Sequence, residues 1–175
     1  YAVQALMARV ALYCGEKDVA WEYADKVIRG IHEGHEWFPF VTREEVVTAD
    51  KEDRVYQSEI IFGLYNLKRK EGVYEIGFGA NLKQGSVLRI DKEVMQDLYE
   101  GDDNDYRLSY WFGEMVDPDN NSYPHVIKYM EVDDKDPKTE VSKGYRYIMP
   151  VIRVSEVYLI AAECCPDPKE GRDYL

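Results

Sequence analysis

A mainly α fold, with helical hairpins, long loops and a few short β-strands, is what this sequence predicts. Two observations carry the helices. Residues 1–30, YAVQALMARVALYCGEKDVAWEYADKVIRG, hold two stretches of helix-forming residues with helical apolar spacing around one glycine turn. Near the other end, VIRVSEVYLIAAECC (151–165) is almost wholly apolar yet carries Arg153, Glu156 and Glu163. A third observation carries the loops: residues 31–150 are broken by glycine, proline and acidic clusters. The expected organisation is one domain, 1–175. It divides into a hairpin (1–30), a loop-rich region (31–150), and a second apolar helix followed by the start of another (151–175).

In the first helix Val3, Leu6, Met7, Val10 and Tyr13 recur at helical spacing and predict the buried face. Gly15 is placed to end it at a left-handed cap. Asp18 is expected to cap the second helix, whose buried face reads Val19, Ala20, Tyr23, Ala24, Val27 and Ile28, with Gly30 as its stop. Ala8 and Ala20 would let the two helices approach closely. The pattern looks like a tetratricopeptide-type hairpin, but no second copy follows at a 34-residue period, so a regular solenoid is not expected.

SEIIFGLYN (58–66) is apolar and β-branched and predicts a short strand. Residues 67–86, with four glycines, predict a loop. DKEVMQDLYE (91–100) predicts an amphipathic helix with Asp91 as cap and Val94, Leu98 and Met95 inward. YRLSYWFGEMV (106–116) and HVIKYM (125–130) have β character, with DPDNNSYP as the turn. EVDDKDPKTEVSKG reads as a solvated acidic loop. Pro166 and Pro168 end the 151–165 helix.

The formal net charge is −12. An acidic surface repels phosphate backbones, and the one basic run, Lys68-Arg69-Lys70, reads as loop, so a nucleic-acid partner is not expected. The three cysteines, Cys14, Cys164 and Cys165, form no CxxC pair and read as small buried apolar residues. The longest apolar run is far short of a membrane span. With no initiator Met and a helical pattern already under way at Tyr1, the chain reads as a piece of a longer protein.

Two motifs invite a metal and miss its requirements. HEGHE (32–36) spaces His32 and His35 by three rather than four, with Gly34 between. DPDNNS (117–122) places Asp117, Asp119 and Asn121 at calcium-loop positions, but Ser122 replaces the glycine and Lys128 the bidentate glutamate. No phosphate-binding glycine motif and no GxSxG occurs. No metal, cofactor or catalytic residue is therefore expected. The 15 tyrosines and the loop aromatics are the better candidates, because flat rings stack on sugar faces while nearby polar groups bond the hydroxyls. Trp37, Tyr74, Phe78, Trp111 and Tyr123 are the candidate glycan-binding residues. On a strand, Trp111 would point away from Tyr110 and Phe112 and face outward.

VIRVSEVYLIAAE resembles the hallmark helix of the SusD/RagB family of outer-membrane nutrient-binding lipoproteins, with Arg153, Glu156, Leu159, Ile160, Ala162 and Glu163 in the family's R-x-x-E-x-x-L-I-x-A-E places. ALMARVALYCGEKDVAWEYADKVI, SEIIFGL and VLRIDKEVMQDLYEGDDNDYR, ending in Asp105-x-Arg107, resemble three other family segments in the same order. The ECC-PDP stretch departs from the family pattern. The resemblance implies non-catalytic binding of oligosaccharides, polysaccharides or other nutrients at the cell surface. It implies delivery to a SusC-like TonB-dependent transporter, and an outward-facing outer-membrane lipoprotein whose anchor lies outside this stretch. Arg153 and Glu156 are expected to form a structural ion pair that fixes the docking of the helix. Two other classes stay open: a scaffold or transporter-facing piece without its own ligand site, and a glycan hydrolase.

Overall fold

The computed structural model describes residues 1–34, 37–47, 53–77, 91–99, 105–116, 120, 122–130 and 144–175. Phe78, His35 and most of DPDNNS and of the acidic loop lie outside them. The fold is mainly α, with few short strands, as the sequence predicts. The chain forms two compact units: Tyr1–Val41, Tyr56–Leu64 and Pro150–Leu175 make unit 1, and Thr42–Val55 and Tyr65–Met149 make unit 2.

Unit 1 is built on α1 (Ala2–Tyr13) and α2 (Lys17–His32). The turn between them is a Schellman cap: Gly15, at φ +78°, donates its N–H to Leu12 O, and Glu16 donates to Ala11 O. Helix α2 starts one residue before the expected cap. Glu16 is the N-cap and makes no side-chain bond, so Asp18 sits in the first turn, where a carboxylate complements the helix dipole. Gly30 does not stop α2, which runs on to His32. A Cβ at Gly30 would meet the Tyr1 ring at 2.8 Å, and the Tyr1 hydroxyl donates to Gly30 O, so this glycine serves close approach.

The core corrects the expected face of α1. Ala5, Ala8 and Ala11 are buried, packing with Ala20, Ala24, Val27 and Ile31 of α2. Val3, Leu6, Met7, Val10 and Tyr13 lie on the exposed side, Val3 at 74% and Tyr13 at 81%. Both stripes obey helical spacing. The small one is buried because alanines let helix backbones come close and gain dispersion contacts along their length.

Helix α7 (Val154–Cys164) completes this core with Val154, Val157, Ile160, Ala161 and Cys164. It begins three residues later than expected, because 148–153 form β4 (Ile148–Arg153), which pairs with β1 (Ile60–Tyr65). Pro168 then opens a further short helix, α8 (Pro168–Arg172), with Asp167 as its cap.

Arg153 is therefore the end of a strand and the N-cap of α7. The expected pair with Glu156 is replaced by two ties to other segments. Glu156 takes both Arg9 Nε (2.5 Å) and Arg9 Nη2 (2.6 Å), and Arg9 Nη2 also donates to Val151 O. Arg153 Nη1 lies 3.6 Å from Glu59, whose Oε1 accepts the Val41 N–H. The reason is directional. The extended Arg153 (φ −108°, ψ 156°) is not on the helix surface, so the i,i+3 geometry of an intrahelical pair is lost.

Unit 2 holds α3 (Arg43–Val47), a π-turn at Lys70–Tyr74 running into α4 (Glu75–Gly77), α5 (Lys92–Leu98), α6 (Tyr106–Trp111) and a hairpin of β2 (Phe112–Val116) and β3 (Ser122–Val126). Asp91 caps α5 as expected, accepting from Glu93 N and Val94 N. Val94 and Leu98 are exposed rather than inward, and Tyr99 is buried instead. Residues 106–111 are helical rather than extended. Asp105 accepts the Arg107 N–H at 2.9 Å and clasps its guanidinium at 2.5 Å, so a capping turn overrides the β propensity of the aromatics.

Arg69, in a run that reads as loop, is 3% exposed. Its Nη1 donates to Tyr145 O (2.7 Å) and Ile148 O (3.1 Å), and its guanidinium lies over the Tyr129 ring. Burial holds its pKa below the ordinary arginine value. Arg69→Ala leaves two carbonyls without their donor and should lower the unfolding free energy by about 2–4 kcal/mol. Arg69→Lys should recover less than half, since an ammonium lacks the rigid fork. Urea unfolding measures both, and a loss in Arg69→Ala of under about 1 kcal/mol contradicts this role.

Candidate functional groove

The hairpin of unit 2 has two faces. In its antiparallel register Phe112 pairs with Val126, Gly113 with His125, Glu114 with Pro124 and Met115 with Tyr123. Side chains alternate along a strand, so Phe112, Glu114 and Pro124 share one face and His125 and Tyr123 the other.

The first face lines a groove of about 300 Å³. Pro124 and Phe112 supply its apolar surface with Leu108 from α6 and Met95 from α5. Gln96 and Glu114 supply its polar groups. Both are exposed, and neither makes a hydrogen bond or ion pair among the described residues. The Phe112 ring is half-buried and braced by Tyr99, ring centroids 6.2 Å apart and edge to face. Arg107 lies over Tyr99 in turn, 5.0 Å from its centroid. The Asp105–Arg107 clasp thus starts the helix that brings Leu108 in and also backs the ring that braces Phe112. Hydrogen bonding to Arg107 holds the Asp105 carboxyl below the usual carboxylate range. At Gly113 a Cβ would fall 3.2 Å from Ile127, so the missing side chain lets that residue pack close to the strand.

The second face is an anchor. His125 is 4% exposed, and its Nε2 lies 2.8 Å from the Tyr74 hydroxyl. Its Nδ1 is buried with no hydrogen-bond partner among the described residues. Burial lowers the His125 pKa and raises that of Tyr74, the latter opposed by nearby Arg54. Burial therefore favours the neutral imidazole in the folded chain.

The aromatic residues singled out from the sequence have varied surroundings. Trp111 ends α6. Its indole N–H donates to Arg54 O at 2.9 Å, and Lys128 Nζ lies 3.8 Å from its ring centroid, so the expected strand geometry and its open outward face are not formed. Tyr74 is committed to His125, and Tyr123 is half-buried on the anchor face of the hairpin. Trp37 belongs to unit 1 and is 53% exposed. None of these four lines the groove. Sequence reasoning put Phe112 on a buried face and did not single out Glu114 or Gln96. The Asp105-x-Arg107 turn was the available signal that 106–111 is helical, which moves Phe112 to the strand start. Among the described residues no group of three His, Cys, Asp or Glu side chains is placed to hold a metal.

A mainly α scaffold carrying a two-stranded hairpin with an open groove is the class of fold at hand. The chain belongs to the SusD family, whose family model (SusD_RagB) matches residues 41–168. Two crystal structures share the fold. A SusD superfamily protein from Bacteroides vulgatus is 20% identical with a TM-score of 0.66, matched over 99% of this chain and 38% of its own. One from Bacteroides thetaiotaomicron is 24% identical with a TM-score of 0.66, over 99% and 39%. The chain thus spans about two fifths of the length of these relatives. No curated protein matches it significantly.

The buried His125 sets a pH dependence. Its folded pKa is depressed, so as pH falls through about 6.5 the unfolded chain takes up a proton that the folded chain refuses. Stability present above that pH is lost below it. The fall in unfolding free energy between pH 7.5 and 5.5 should shrink by up to about 1.4 kcal/mol in His125→Phe. Equal falls in both proteins would show that His125 carries no such linkage.

Proposed function

We propose that this chain is the ligand-holding part of a cell-surface nutrient-capture protein, and that the groove of unit 2 binds a saccharide without chemistry. The observation that carries the reading is the groove's composition within a chain of the SusD family. A braced aromatic ring and an apolar floor suit the C–H face of a pyranose. Two polar side chains without a partner among the described residues are available to its hydroxyls. Binding without hydrolysis is favoured because Glu114 is the one carboxylate among the described lining residues, whereas glycoside hydrolysis uses a pair. The whole protein would be an outward-facing outer-membrane lipoprotein that passes its ligand to a SusC-like TonB-dependent transporter. Trp37, exposed in unit 1, and Phe78 are proposed as glycan contacts in their own right on the chemistry of their aromatic rings. Trp111, Tyr74 and Tyr123 are proposed as support close to the ligand surface.

One observation favours a second reading, a scaffold piece. The apolar stripe of α1 is exposed here, and the related structures are much longer chains, so further sequence in the whole protein would cover it.

Affinity electrophoresis against plant, host and microbial polysaccharides, with chromatography of the incubated glycans, tests the binding reading. The expected result is retention by at least one polysaccharide with no product. Phe112→Ala should weaken that retention about tenfold in the folded fraction. Product release, or no retention by any glycan, contradicts it.

A further inference from the structure

We propose that Glu114, with Gln96, makes the groove selective for neutral pyranose units and excludes uronic acids. This rests on the saccharide-binding reading above and names the ligand class for the same groove.

The argument is one of charge and capacity. The Glu114 carboxylate stands at the groove, exposed and without a partner among the described residues. A carboxylate only accepts hydrogen bonds, so it suits a sugar hydroxyl as donor and has nothing to offer a second carboxylate. Gln96 both donates and accepts, which matches the two roles of a neighbouring hydroxyl. Among the described lining residues none is cationic. The guanidinium on α6, Arg107, is already held by both carboxylate oxygens of Asp105. An anionic sugar in this groove would therefore meet a like charge with no compensating cation among the described lining residues. The net charge of −12 adds long-range repulsion of the same sign. A volume of about 300 Å³ is at the small end for ligand sites, so selection acts on about one or two sugar units rather than along an extended strand.

The chemistry separates polysaccharide pairs that differ chiefly by CH₂OH against COO⁻: glucan and polyglucuronate, mannan and polymannuronate, galactan and polygalacturonate. Retention of the wild-type chain on each pair at low and high salt is the measurement. At least one neutral polymer should bind, with its uronate partner about tenfold weaker or more at low salt, and a smaller gap at high salt. Glu114→Gln should close that gap, read as the ratio of the two affinities, at least about threefold, and Gln96→Glu should widen it. A uronate that binds as tightly as its neutral partner, or a gap unchanged by Glu114→Gln, overturns the selectivity and leaves saccharide binding standing. If neither series binds the wild-type chain, the saccharide reading itself fails, and this inference with it.

Discussion

Arg9 reaches from the middle of α1 to segments more than 140 residues away in sequence, and the arrangement of unit 1 depends on where it lands. Its Nε and Nη2 donate to the two carboxylate oxygens of Glu156, and Nη2 also donates to Val151 O. One planar guanidinium thereby sets the position of a helix start and of the strand before it. Glu156 lies in the first turn of α7, where the helix dipole already favours a carboxylate. Hydrogen bonding to Glu156 raises the Arg9 pKa, against the desolvation that opposes it. Both side chains are largely shielded, at 21% and 32% exposed, so solvent screening is reduced. Alanine packing alone would not achieve this. Ala5, Ala8 and Ala11 are nearly interchangeable in shape, and a smooth stripe tolerates sliding, whereas a bidentate pair does not.

A second tie works beside the first. Arg153 approaches Glu59, and Glu59 accepts the Val41 N–H. The arginine and glutamate that head the family's hallmark segment thus serve two attachments instead of one another. Between them lies Val154, fully buried at the start of α7, with Ile152 buried on the strand. Charged ends that are held and an apolar middle that is covered explain how so greasy a segment carries its charges.

In unit 2 the same economy separates holding from presenting. His125 and Tyr74 hold one face of the hairpin, and the other face presents Phe112, Glu114 and Pro124. Tyr99 and the Asp105–Arg107 clasp brace the presenting ring from behind. A braced ring loses little rotamer freedom on binding, which is the physical reason such a platform suits weak-contact ligands such as sugars.

Much of the fold was legible in the sequence, because long helical periods and glycine caps are local signals. α1, α2, α5 and the strand at 60–65 form where periodicity put them, α2 with its bounds shifted at both ends. The inward face of α1 was not legible, since Ala5-Ala8-Ala11 and Val3-Met7-Val10 both recur at helical spacing and only α2 decides between them. The partners of Arg153 and Glu156 were hidden for the same reason: Arg9 and Glu59 are distant in sequence. Of the groove, nothing but the aromatic character of 106–112 was visible, because Gln96 and Glu114 gain meaning only from a hairpin register. A double-mutant cycle on Arg9 and Glu156, Arg9→Met and Glu156→Gln singly and together, followed by urea unfolding, tests the central claim most directly. A coupling of about 1.5–3 kcal/mol is predicted, and one below about 0.5 kcal/mol would mark the pair as an inert surface contact and contradict the account.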